Sequence, residues 1–204
     1  MTEQEFIELL ARGHEQRGVE FKRAGSRRDD KHLLAKVIRA TISMANRRDG
    51  GLVIVGIDED DNGVPVPVGI SDDDLATWSH DELADSLAEY ADPSVDFEVE
   101  IVNYSSKKFL VIHVQEFSDI PVLCKKAYSD VLRAGACYVR TRRKPETVEI
   151  PTQTDMRDLL DLAIEKGVRK FIAQARAAGL GSSGLLPPSD NELFNQQLGI
   201  LLGK

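Results

Sequence analysis

Three carboxylates could do chemistry together: Glu15, Glu20 and Asp58, set in the frame His14-Glu15-x4-Glu20-Phe21-Lys22 … Ala45-Asn46 … Gly50-Gly51-Leu52-Val53-Ile54-Val55-Gly56-Ile57-Asp58. Oxygen ligands converging from turns and strand ends are what a hard divalent cation such as Mg²⁺ or Mn²⁺ requires. Three acidic ligands leave coordination positions open for water and a phosphate oxygen, the requirement for phosphodiester hydrolysis. Lys22 lies two residues beyond Glu20 and so shares its strand face, within reach of a scissile phosphate or a leaving oxygen. If the three carboxylates meet, the chain is a metal-dependent nuclease; if they do not, it is a nucleic-acid-binding module. As isolated residues, Glu15 is a solvated turn residue, Glu20 a partner of Lys22 or Arg39, and Asp58 a strand-end cap.

The elements that must position them can be read from pattern. Thr2-x-x-Glu5 is a capping box opening a helix with Phe6, Ile7, Leu9 and Leu10 apolar. Val19-Glu20-Phe21-Lys22 alternates as a strand. Asp29 or Asp30 caps a second helix over 31–45, with Leu34, Val37, Ile38 and Ile42 in its buried stripe. Gly50-Gly51 is a turn, fixed by Asn46 at the helix end. Leu52 to Ile57 is a continuous apolar run, expected to be a central strand covered on both faces. The stretch holding Pro65, Pro67 and Gly69 reads as loop. Ser79-x-x-Glu82 caps a helix that stops before Pro93. Val95 to Tyr104 and Lys107 to Phe117 form a hairpin about Ser105-Ser106. Pro121 leads a strand through Tyr128, and Cys137 to Arg142 is the last strand before the Lys144-Pro145 break. His113 falls mid-strand as a packed or edge residue, and His14 reads as a surface histidine. The expected fold is α+β: a mixed, mostly antiparallel sheet with flanking helices, plus a C-terminal helix. The expected division is a domain over 1–150, a helix over 151–178, and a linker with a short tail over 179–204, the tail holding a short amphipathic helix.

Composition narrows the class. The 204 residues carry a formal net charge of −8, unevenly spread. Nine Lys/Arg stand between Lys22 and Arg48 against Asp29 and Asp30 alone, and five stand between Arg133 and Lys144 with no acid. Fifteen acids and no Lys or Arg stand between Asp58 and Glu100. Local potential rather than net charge governs phosphate binding, so Arg23, Arg27, Arg28, Lys31, Arg47, Arg48, Arg140, Arg142 and Arg143 are candidate nucleic-acid contacts. Few aromatics interleave with them, so backbone and shape readout of a structured RNA or duplex is expected rather than base stacking. Cys124 and Cys137 form no C-x-x-C motif and read as reduced, structural thiols of a cytoplasmic protein. No apolar run reaches membrane-span length, and no G-x4-G-K-[ST] phosphate loop is present.

The ordered set Glu20-Phe21-Lys22, Ala45-Asn46, the Gly50-to-Asp58 strand, Asn62-Gly63, Gly69-Ile70, Pro93, Pro121 and Tyr138-Val139-Arg140 resembles the Schlafen AlbA_2 family, an AlbA-like DNA-binding domain family. The resemblance covers roughly residues 13–144. It implies an RNase activity on tRNA and rRNA, carried by two glutamates five residues apart and an aspartate after the Gly-Gly strand; Glu15, Glu20 and Asp58 match those positions. The Thr141-Arg142-Arg143 continuation departs from the Gly or Ser pair common in the family. The vertebrate enzymes carry two such lobes; this chain carries one, so a homodimer is expected to supply the second. The expectation is a metal-dependent endoribonuclease acting on tRNA-like structured RNA. The alternative is a non-catalytic DNA- or RNA-binding regulator, and the C-terminal helix and tail are candidates for a protein partner.

Overall fold

In the computed structural model, residues 3–11, 17–141, 145–178 and 190–201 are described. The central element is helix α2 (Lys31–Ala45), with eleven of its residues buried. Its start is set by Asp30, whose side chain accepts a hydrogen bond from the Leu33 backbone N–H, satisfying one of the donors a helix N-terminus leaves open. On one side α2 covers a four-stranded sheet ordered β1 (Val19–Lys22), β2 (Gly51–Val55), β7 (Lys107–Val114), β6 (Phe97–Tyr104). β1 and β2 run parallel, joined through α2, while the other pairings are antiparallel. The expected mixed, mostly antiparallel sheet with flanking helices is the architecture found.

The register explains the core. Val19 and Phe21 point to the sheet face where Ile54, Phe109, Val111 and Val102 cluster with Phe6 of α1 (Glu3–Ala11). The Phe6 and Phe109 rings lie 4.8 Å apart, centroid to centroid, in a tilted arrangement. Glu20 and Lys22 therefore point to the opposite face, the α2 side. Gly50 and Gly51 permit close packing where α2 returns to the sheet. A Cβ on Gly50 (φ +63°) would stand 1.9 Å from the Val114 carbonyl oxygen, and one on Gly51 would stand 2.4 Å from Met44 Sδ.

The apolar run read as one strand is two. Gly56, with φ +109°, breaks it, and β3 (Ile57–Glu59) pairs antiparallel with β4 (Pro65–Pro67). The stretch read as loop thus contains a strand, closed by a turn in which Asp60 Oδ1 accepts from the Asn62 and Val64 N–H groups. A short helix α3 (Asp72–Leu75), capped by Ser71, was also unforeseen. Helix α4 (His80–Tyr90) begins at Ser79 as its capping box implied. Ser105 and Ser106 both adopt positive φ, as a two-residue primed turn demands.

Against the other side of α2 lie β8 (Leu123–Cys124), which pairs with β5 (Ala91–Asp92), and the ribbon of β9 (Tyr138–Arg140) and β10 (Thr147–Glu149). The strand expected from Pro121 to Tyr128 is only the two residues of β8, and β10, beyond the Lys144-Pro145 break, was not foreseen. Both cysteines are free thiols. Contacts divide the chain into two units, Met1–Leu160 and Asp161–Lys204, the boundary falling within α5 (Gln153–Ala177). In the second unit, Ile164, Val168 and Phe171 of α5 and Phe194 and Ile200 of α6 (Asp190–Leu201) are exposed. No helix among the described residues is long and apolar enough to cross a membrane.

Candidate functional site

Glu20 is the most constrained of the sequence-derived site residues. It is 7 % exposed, and an ionised carboxylate so placed needs compensating partners. It has cations on both oxygens: Lys22 Nζ pairs with Oε1, and Arg140 Nη1 pairs with Oε2. Lys22 also donates to the Phe21 carbonyl at 3.0 Å. Arg140 is 2 % exposed and donates further to the Val19 carbonyl at 2.9 Å and the Arg17 carbonyl at 3.3 Å. Arg17 returns a bond from Nε to the Arg140 carbonyl at 3.2 Å. This exchange laces β9 to the edge of the sheet at β1.

A hydroxyl pair sits beside the carboxylate. Thr147 Oγ1 is 3.4 Å from Glu20 Oε2 and 2.9 Å from Ser43 Oγ, while Ser43 donates to the Ala40 carbonyl. Thr147 is the donor to the carboxylate; the two hydroxyls bring two protons to three contacts, so the Ser43–Thr147 contact forms only when one of them gives up its other acceptor. Arg39 reaches the same strand from α2, donating from Nη2 to the Thr147 carbonyl at 2.9 Å. Of the two partners considered for Glu20 from sequence, Lys22 is present, Arg39 stops at Thr147, and the second cation is Arg140.

Asp58 occupies β3 and is exposed. Its Oδ1 accepts from the Glu59 N–H at 3.0 Å. The chain leaves β2 beside Lys22, whose carbonyl accepts from the Gly56 N–H at 2.8 Å, so the element bearing Asp58 departs from the end of β1. Glu15 and His14 lie outside the described residues. Among the described residues, no three His, Cys, Asp or Glu side chains come together as a metal-ligand group.

The basic tract proves heterogeneous. Arg27 is internal mortar: its Nε donates to the Thr77 carbonyl at 2.8 Å, its Nη1 to Ser86 Oγ at 2.8 Å, and its Nη2 pairs with Glu82 at 3.2 Å. Arg28 also pairs with Glu82, at 2.6 Å, but stays largely exposed. The Arg28 interaction holds the Glu82 carboxyl below its ordinary range. Arg23 pairs with Asp30. Arg47 closes the turn, accepting on its carbonyl from the Gly50 N–H and donating to the Gly50 carbonyl. Lys31 and Arg48 are exposed, Arg140 is buried, and Arg142 and Arg143 lie outside the described residues. The acidic and basic tracts thus partly neutralise each other by contact.

Asn46, expected to fix the glycine turn, does other work. It caps the C-terminus of α2. Its Nδ2 donates to the Val122 and Tyr138 carbonyls at 2.8 and 3.0 Å, and its Oδ1 accepts from the Val122 N–H at 2.7 Å. His113 sits on interior strand β7, with Nε2 2.8 Å from Glu100 Oε2. Sequence reasoning missed Ser43 and Thr147, for which no local signal exists, and the internal role of Arg140.

A family model described as Schlafen, AlbA_2 matches residues 15–149. Among solved structures, the chain is similar to the DIP2311 protein from Corynebacterium diphtheriae, with 19 % identity and a TM-score of 0.48, covering 72 % of this chain and 26 % of that one. It is also similar to the solution structure of the N-terminal domain of a RecG-related protein from Nitrosomonas europaea, with 23 % identity and a TM-score of 0.48, covering 75 % of this chain and 98 % of that one. The chain spans about a quarter of the length of the first of these. No curated protein matches it.

Proposed function

The chain belongs to the Schlafen AlbA_2 family, and from that premise we propose that it is a metal-dependent endoribonuclease acting on structured RNA of the tRNA type. Family membership by itself supports a nucleic-acid-related function; the reaction and the substrate are the proposal. One observation carries it: Glu20 is a buried carboxylate with cations on both oxygens, on β1 two residues before Lys22, beside which the chain leaves β2 toward Asp58.

The donor set suits a hard cation. Glu20 Oε1 already has a positive charge beside it, the Lys22 ammonium. Glu20, Asp58 and Glu15 would hold Mg²⁺ or Mn²⁺, which supplies an activated water and neutralises charge on the phosphate. Arg140 keeps Oε2 in place and so fixes the carboxylate plane. Lys22, on the same strand face as Glu20, would serve as a cation for the scissile phosphate or the leaving oxygen. The exposed Arg23, Arg28, Lys31 and Arg48 hold the RNA backbone.

A second reading has its own support. The two cations on Glu20 and the exposed position of Asp58 suit a carboxylate that only braces β1 against β9, and hence a non-catalytic nucleic-acid-binding regulator. Incubating the purified chain with tRNA in Mn²⁺ and, separately, in EDTA decides between them. Discrete cleavage products in Mn²⁺ that vanish in EDTA support the nuclease. Salt-sensitive binding without cleavage of any RNA tested supports the regulator.

A further inference from the structure

A second cleft lies on the far side of α2 from the sheet, about 290 Å³ in volume, among Arg39, Ser129, Asp130, Arg133, Tyr138 and Glu149. Its floor is Tyr138, 1 % exposed, with the ring fixed by its hydroxyl, which accepts from the Arg133 N–H at 2.8 Å. The Arg39 guanidinium lies over this ring, Cζ 5.0 Å from the centroid. Arg39 Nη2 is engaged by the Thr147 carbonyl, but its Nε is buried and has no hydrogen-bond partner. A buried donor left open costs free energy until an acceptor reaches it. One wall is the tight loop 128–132, closed by reciprocal backbone bonds between Tyr128 and Leu132. The opposite wall is Arg133 clamped on Glu149, with Nε–Oε1 at 2.7 Å and Nη2–Oε2 at 2.5 Å.

The balance of charge separates possible occupants. Arg39 and Arg133 face Asp130 and Glu149, so the cleft is neutral in sum and a phosphate gains little there. It offers instead a guanidinium over an aromatic ring, an unpartnered Arg39 Nε that an acceptor reaches once the side chain shifts to expose it, and carboxylate oxygens with lone pairs beyond those Arg133 uses. A planar, uncharged group bearing acceptors on one edge and donors on another satisfies all three. Unpaired RNA bases are held in this way, stacked on Arg planes and read along their edges. We propose that this cleft is a base-recognition pocket for a splayed-out guanine of the RNA. Guanine O6 and N7 accept from Arg, and its N1–H and N2–H donate to a carboxylate. Helix α2 supplies the approach: Lys36 and His32 stand one and two turns before Arg39 on its exposed side, close enough to Asp130 to act on it electrostatically. The pocket adjoins the carboxylate site through Thr147, whose carbonyl holds Arg39 and whose hydroxyl lies beside Glu20. The inference deepens the nucleic-acid reading and rests on it.

Titrating the full chain with GMP, AMP, CMP, UMP and inorganic phosphate, followed by side-chain and backbone amide NMR, tests this directly. GMP is expected to bind at least tenfold more tightly than inorganic phosphate or the other mononucleotides and to shift the Arg39 Nε resonance. Glu149→Gln and Arg39→Lys, each checked for an unchanged fold by circular dichroism, are expected to weaken GMP binding about tenfold, the scale of one lost bidentate contact. Equal affinity for GMP and inorganic phosphate, preference for another base, no binding, or unchanged GMP affinity in both variants overturns the proposal. Assaying tRNA cleavage on the same samples keeps the two claims apart. Cleavage without a GMP site sinks the pocket alone, and a GMP site without cleavage sinks the nuclease alone.

Discussion

Arg140, wholly buried on β9, is the ion-pair partner of Glu20 on β1. The pair ties the edge of the sheet to the ribbon that covers α2, and it holds in a fixed orientation the one glutamate buried among the described residues. Removing one partner of a buried pair strands the other charge in a poorly solvated place.

Arg140→Ala should therefore destabilise the protein by about 3 kcal/mol, the scale for breaking a buried pair from one side. Glu20→Gln in the same background should recover part of that loss, because the stranded charge is gone. Urea unfolding of the two single variants and the double variant measures the coupling. A loss below about 1 kcal/mol in Arg140→Ala, the range of exposed pairs, would show that the pair does not brace the fold.

Asp30 gives the fold a pH dependence. Burial pushes its carboxyl upward, but the Leu33 N–H and the Arg23 guanidinium outweigh burial and hold it below the ordinary value. A carboxyl whose folded value is depressed contributes stability that is complete above its unfolded value, about 3.9, and is lost as pH falls through the folded value. Asp30→Ala should cost about 1 kcal/mol at pH 7. The difference from wild type should shrink between pH 4 and pH 2. A constant difference over that range would contradict the assignment.

Cys137 is pushed up to about 11 by burial alone, and desolvation also raises Cys124. Thiolate is the reactive form, so neither thiol should react appreciably with a disulfide reagent at pH 7.5 in the native protein. Both should react in guanidinium chloride. Rapid release of one equivalent from the folded chain would contradict the burial of Cys124 and the half-buried placement of Cys137.

What could be read from the sequence was local. The strand Val19–Lys22, the helix Lys31–Ala45 and the hairpin at Ser105-Ser106 follow from alternation, an Asp cap and a two-residue turn, and each stands where expected. Gly56 breaks the strand at a backbone angle that the apolar run conceals. β4 was hidden because Pro65 and Pro67 suggest loop, yet prolines are tolerated on a two-stranded edge. The partners of Glu20 were harder to see. Lys22 is two residues away, whereas Arg140, Thr147 and Ser43 arrive from β9, β10 and α2, and only the folded chain brings them together. An arginine in a basic run looks like a surface contact, and at Arg140 it is an internal counter-ion.

The central claim is that Glu20 serves chemistry as well as structure. Cleavage of tRNA in Mn²⁺ by wild type and Glu20→Gln, with affinity for the same RNA measured alongside, tests it most directly. Glutamine keeps the shape and can still accept from Arg140 but leaves that buried charge without its counter-ion, so the variant should be less stable yet folded by circular dichroism, and its affinity for the RNA should persist within about threefold by the scale of a single neutral change. The rate should fall at least about a hundredfold, as loss of a charged group at a reacting centre implies. Equal cleavage by Glu20→Gln and wild type would contradict the claim and leave Glu20 as a brace between β1 and β9.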